Sequence, residues 1–185
     1  MRFDLVDTPI TDLKIVQRKP ISDERGFISR LYCQDDFKLM GLNKPISQIN
    51  QTLTKKKGAV RGLHYQLAPF AEAKLVTCIK GEIFDVAVDL RRDSPTYLNW
   101  HAEILSDKNQ KSFLIPEGFA HGFQTLTDDC QLIYLHTAPY SKEYERGLNY
   151  IDKKLDISWP LKISQISDRD RTHPIIKDDF KGIVL

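Results

Sequence analysis

The chain has 185 residues, 41% of them hydrophobic and 28% charged, the composition expected of an ordinary globular protein long enough to bury one core. With 27 basic and 25 acidic residues the net charge is +2, so no general attraction to nucleic acid or to an anionic membrane is expected. Acids interrupt the start, Met1-Arg2-Phe3-Asp4-Leu5-Val6-Asp7, and no later apolar stretch is long enough to cross a bilayer, so a cytoplasmic location is expected.

A short helix is predicted over residues 35–40, opened by acids and stopped by Gly41. The dominant period after it is two. Strands are predicted over 46–53 and 58–65. The run Lys55-Lys56-Lys57 between them reads as a solvated turn.

From Lys74 to Leu90 a strand pair is expected, broken at Lys80-Gly81-Glu82 by a tight turn. In the second of these, Phe84, Val86, Val88 and Leu90 share a core face. Ile83, Asp85, Ala87 and Asp89 share the other, and carboxylates among small apolar residues suit the lining of a polar cavity. More strands follow over 99–105, 110–115, 122–125 and 131–137. Turn signals such as Asp93-Ser94-Pro95 and Thr127-Asp128-Asp129 separate them.

Beyond residue 152, Pro160 and Pro174 prevent any long helix. The sum is an all-β chain, an antiparallel sandwich or barrel, forming a single domain over 1–185. Cys33, Cys78 and Cys130 are far apart and odd in number. They suggest no disulfide framework, and Cys78 reads as a small core residue.

Two segments hold the chemistry. Arg61-Gly62-Leu63-His64-Tyr65-Gln66 and Ile115-Pro116-Glu117-Gly118-Phe119-Ala120-His121-Gly122-Phe123 each set a histidine among glycines and aromatics. Lys74 follows ten residues after His64. Histidine suits proton transfer near neutral pH, while arginine and lysine hold phosphate or a developing oxyanion. Arg61 and Gln66 are expensive to bury unless they bind something. In a regular strand Arg61 and His64 would point to opposite faces, and Gly62 permits a bulge that brings both to one cavity.

The Pro-x-Gly-x-x-His segment is expected to be a turn leading into a strand, with His121 divided between a structural and a site role. Tyr134 shares a strand face with Leu132 and His136, and strand tyrosines are mostly packing residues. Asp170, in Ser167-Asp168-Arg169-Asp170-Arg171, reads on its own as an exposed charged turn. A metal site of the barrel type would call for two histidines close together on one strand with a carboxylate nearby. That spacing is missing, so neither metal nor cofactor is expected.

Taken in order, these segments resemble the dTDP-4-dehydrorhamnose 3,5-epimerase family. The match includes Asp23-Glu24-Arg25-Gly26-Phe27, Gln48-Ile49-Asn50, the two histidine segments, Lys74-Leu75-Val76 and the run from Gly81 to Asp89. It continues through Tyr134, Tyr140, Glu145, Trp159-Pro160 and the segment around Asp170. The resemblance implies a jelly-roll (cupin-like) double-stranded β-helix. It also implies epimerisation at C3 and/or C5 of a nucleotide-linked 4-keto-6-deoxy sugar.

On that basis His64 is the base, Asp170 its orienting partner, Tyr134 the acid on the opposite face and Lys74 the stabiliser of the enolate oxygen. Arg25, Arg30, Arg61 and Arg169 fall in the substrate-binding set with Gln48, Asn50, His121, Tyr140 and Glu145. The family also implies a homodimer that exchanges N-terminal strands, with Arg25 serving the partner's site.

Two departures stand out. Arg30 and Ile49 occupy positions where many relatives carry acids, which raises the expectation of a different base such as cytosine. Competing readings are a one-carbon epimerase, a metal-dependent jelly-roll enzyme, a 3,4-ketoisomerase and a non-catalytic sugar-binding jelly roll.

Overall fold

A computed structural model describes residues 2–185. Its strands, in chain order, are β1 (Phe3–Asp7), β2 (Lys14–Arg18), β3 (Ile21–Asp23), β4 (Gly26–Ile28), β5 (Gln48–Thr54), β6 (Val60–Gln66) and β7 (Lys74–Lys80). Then come β8 (Glu82–Asp89), β9 (Trp100–Ser106), β10 (Lys111–Ile115), β11 (Phe119–Thr125), β12 (Cys130–His136) and β13 (Glu145–Gly147). Two short helices are α1 (Gln34–Leu39) and α2 (Asp168–Arg171). No helix among the described residues is long and apolar enough to cross a membrane.

Two antiparallel sheets face each other, with strand orders β1-β2-β10-β7-β12-β5 and β13-β6-β11-β8-β9. The β3–β4 hairpin stands apart as a two-stranded sheet. This is the jelly-roll arrangement expected.

The central strands β7, β8 and β11 are buried on both faces, whereas β1 and β5, at the edges of the first sheet, are largely exposed. Between the sheets, Val76, Phe113, Leu132 and Tyr134 from one meet Ile83, Ala87, Leu105 and Phe123 from the other. Behind the first sheet, Leu75, Leu114 and Leu135 pack under Phe37 of α1. Behind the second, Val86, Val88 and Leu90 pack under Leu148, Leu155, Ile176 and Ile183 of the C-terminal segment. So the face of β8 expected to be core is the outer one, covered by the tail, and the mixed face is the barrel interior.

Three expectations are corrected. First, β7 and β8 are not a hairpin. The chain turns at Gly81 and passes from one sheet to the other, β7 lying beside β10 and β12 and β8 beside β11 and β9. Two-sided burial drives this, since neither strand has a solvent face to spare.

Second, β11 begins at Phe119, so His121 sits within a strand rather than in a turn, between Ala87 of β8 and His64 of β6.

Third, Asp89 does not line the cavity. It is buried and accepts hydrogen bonds from Arg91, Ser94 and Thr96, tying down the loop that follows β8.

Candidate active site

The bulge expected at Gly62 is present. His121 pairs with His64 but Phe123 pairs with Arg61, so β6 carries one residue more than β11 across that step. Gly62 takes φ +118°, and a Cβ there would meet Gly122 Cα at 2.5 Å. Only glycine lets the two backbones come so close. The extra residue puts Arg61 and His64 on the same pocket of about 490 Å³.

That pocket is also lined by Gln48, Asn50, Lys74, His121, Tyr134, Tyr140, Glu145, Arg169 and Asp170. Hence eleven of the thirteen site residues expected from sequence, counting Arg61 and His64, converge on one cavity.

His64 Nε2 lies 2.7 Å from Asp170 Oδ1. An ionised carboxylate can only accept, so Nε2 carries the proton and Nδ1 is the ring nitrogen with a free lone pair. Asp170 is held from the other side by the Gly62 N–H, and its own N–H donates to Ser167 Oγ, which caps α2. Burial alone would raise the Asp170 carboxyl. The bond and charge of His64, with the Gly62 and Ser167 bonds, hold it below the ordinary value instead.

Lys74 is buried, donates to the His64 carbonyl at 3.2 Å and lies 3.3 Å from Glu72 Oε1. Glu72 Oε2 in turn accepts from His136 Nδ1 at 2.8 Å.

Tyr134 lies on β12 in the facing sheet. Burial, with the Asp85 charge adding to it, pushes its phenol far up, so it stays protonated across the physiological range. Beneath it, His121 Nε2 lies 2.7 Å from the fully buried Asp85, and the His121 ring meets Tyr134 edge-on at 5.9 Å. Burial pushes the Asp85 carboxyl up, with His121 and Lys74 opposing. At the mouth, Glu145 holds Arg169 and the Tyr140 hydroxyl, while Gln48 Oε1 accepts from the Tyr140 N–H.

A model of the protein family described as dTDP-4-dehydrorhamnose 3,5-epimerase matches residues 7–178. The chain belongs to this family. It is 43% identical over 169 residues to the dTDP-4-dehydrorhamnose 3,5-epimerase of Shigella flexneri, covering 91% of this chain and 93% of that one.

Among solved structures, the dTDP-4-dehydrorhamnose 3,5-epimerase of Bacillus anthracis str. Ames, with TDP and PPi bound, superposes with a TM-score of 0.91 at 37% identity. That match covers 94% of this chain and 99% of the other. The dTDP-6-deoxy-D-glucose-3,5-epimerase of Legionella pneumophila Philadelphia 1, in complex with dTDP-4-keto-L-rhamnose, superposes with a TM-score of 0.89 at 39% identity, covering 94% and 92%.

Two residues expected in this epimerase's binding set lie outside the pocket of their own chain. Arg25 is exposed on the β3–β4 hairpin and paired with Asp23. Arg30 pairs with Asp36 at the start of α1. Ile49 lies opposite Leu135, on the outer side of β5 rather than with Gln48 and Asn50. Neither departure therefore lies on the pocket wall of its own chain.

Gln66 also lies on the pocket wall. Its amide is taken up by the Phe70 and Pro139 carbonyls and the Ser141 N–H, fixing the loop before Tyr140.

Glu72 and His136 were missed as wall residues. Glu72 precedes β7 in a run whose period gives no face. His136 does share the face of Tyr134, and that alternation was the available signal.

Proposed function

We propose that the chain converts dTDP-4-dehydro-6-deoxy-D-glucose to dTDP-4-dehydro-L-rhamnose by inverting C3 and C5 through enolate intermediates. The observation that carries this reading is the opposition across one pocket of a carboxylate-paired histidine on one sheet and a buried, protonated tyrosine on the other.

His64 Nδ1 takes the proton alpha to the C4 ketone. Asp170 stabilises the resulting imidazolium and keeps the ring in register. The Lys74 ammonium, held by Glu72 and the His64 carbonyl, meets the negative charge that develops on the ketone oxygen. Tyr134 returns a proton from the opposite face, which inverts the carbon. The burial that pushes its phenol up keeps that proton in place until the enolate forms.

Arg61 and Arg169 suit the diphosphate, whose oxygens match guanidinium forks. Gln48, Asn50 and Tyr140 line the end where the nucleoside would lie. The chain acts as one domain, in the cytoplasm, and as a homodimer. The β3–β4 hairpin supports the dimer, because it exposes Ile21, Phe27 and Ile28 at 48%, 63% and 72% next to Arg25. Covered by a second copy, it would deliver Arg25 to the neighbouring pocket.

The test compares dTDP- and CDP-linked 4-keto-6-deoxyglucose in deuterated water, read by NMR. Deuterium at both C3 and C5 of the dTDP sugar, with little turnover of the CDP sugar, is expected. Incorporation at one carbon only, or a preference for the CDP sugar, contradicts the assignment.

A further inference from the structure

The proton chemistry leaves the His173 imidazole unused. The His173 ring, two residues beyond α2, lies against Gly147 of β13, where a Cβ would fall 2.3 Å from the ring. Its Nε2 is buried without a hydrogen-bond partner and lies 3.7 Å from Asp170 Oδ1. That same oxygen is 2.7 Å from His64 Nε2, and the two imidazoles meet edge to face with centroids 5.4 Å apart. His64 Nε2, Asp170 Oδ1 and His173 Nε2 thus lie within 4.8 Å of one another.

Two imidazoles and a carboxylate are a donor set for a borderline divalent ion. A tetrahedral Zn²⁺ at about 2.0–2.1 Å from each ligand sets the ligand atoms roughly 3.3 Å apart. The separations of 2.7 and 3.7 Å lie on either side of that value. The three residues come from β6, α2 and the turn after it, which is why spacing along one strand gave no sign of them.

We propose that His64, Asp170 and His173 form a site for a divalent transition metal of the Zn²⁺ class, and that filling it switches the epimerase off. An ion on Nε2 displaces the ring proton to Nδ1. The nitrogen that should accept the substrate proton then has no lone pair, and Asp170 is drawn from the imidazole to the ion. His64 and Asp170 line the substrate pocket, so the ion has a route to them from solvent. The switch rests on His64 being the base. The metal site itself does not.

The experiment uses the full chain, stripped with EDTA. Titration with Co²⁺ should give the visible absorption of a tetrahedral nitrogen–oxygen site at one ion per chain. Zn²⁺ should inhibit turnover of the dTDP sugar, with EDTA restoring it. His173→Phe keeps a ring against Gly147, and His173→Gln keeps a polar side chain there. Both should lose the Co²⁺ spectrum and weaken Zn²⁺ inhibition about 10-fold or more, since even residues behind the ligands cost 10–100-fold in affinity.

No Co²⁺ spectrum, or one unchanged in both variants, overturns the site. Activation by Zn²⁺ overturns the switch. A His173-dependent spectrum with turnover untouched by Zn²⁺ leaves the site standing and counts against His64 as base, so the two failures are separable.

Discussion

At the scale of single residues, each neighbour of the pair His64 and Tyr134 matters for what it does to a proton. His64 is useful because Asp170 fixes which nitrogen is bare, and Tyr134 because burial keeps its hydroxyl intact. A positioned acid or base contributes about 10²–10⁴ in rate. His64→Ala should therefore lower kcat by that range with little change in KM. A variant keeping more than about a tenth of the wild-type kcat would contradict the assignment.

Asp170→Asn keeps the shape but removes the charge that selects the tautomer. We expect about 10²-fold or greater loss in kcat, together with a shifted acid limb of the kcat/KM profile, which simple loosening of the fold would not move. Neither Tyr134 nor Asp170 was legible from pattern alone. Tyr134 looks like any strand tyrosine. Asp170 is one of four charged residues in a row and is buried only because Ser167 caps a one-turn helix that turns it inward.

At the scale of elements, the decisive device is the β6 bulge. It was legible because glycine between an arginine and a histidine in a strand invites one. Gly62→Ala places a methyl 2.5 Å from Gly122 Cα. It should destabilise the fold by about 1–3 kcal/mol, as overpacking does, and lower kcat by separating Arg61 from His64. Urea unfolding and steady-state kinetics read the two effects. A variant of unchanged stability and activity would remove the bulge from the account.

Less legible was the passage from β7 to β8. Strand–glycine–strand is the signature of a hairpin, and only burial on both faces shows that the strands belong to different sheets. The tail was illegible for a related reason. Its segments have no period of their own and gain order by covering Val86, Val88 and Leu90.

At the scale of the whole molecule, the buried carboxylates tie stability to pH. Glu72, Asp89 and Asp170 all titrate below their ordinary values. Burial pulls each the other way, but hydrogen bonds and positive neighbours prevail. A carboxyl lowered on folding stabilises the fold above its unfolded value, about 3.9–4.3, and that share is lost as pH falls through the folded value. Asp85, raised by burial, runs in the opposite sense.

The urea midpoint should therefore fall as pH drops from about 5 toward 2. Asp89→Asn, which leaves the pocket intact, should flatten that fall. A midpoint independent of pH in this window would contradict the linkage.

The central claim is that base and acid stand on opposite sheets and act on opposite faces of one carbon. Deuterium exchange in Tyr134→Phe separates the two halves most directly. With His64 intact and partly open to solvent, the variant should still exchange the substrate's alpha hydrogen for deuterium in deuterated water while forming almost no inverted product. Inversion at the wild-type rate, or loss of exchange together with inversion in a folded Tyr134→Phe protein, would contradict the account.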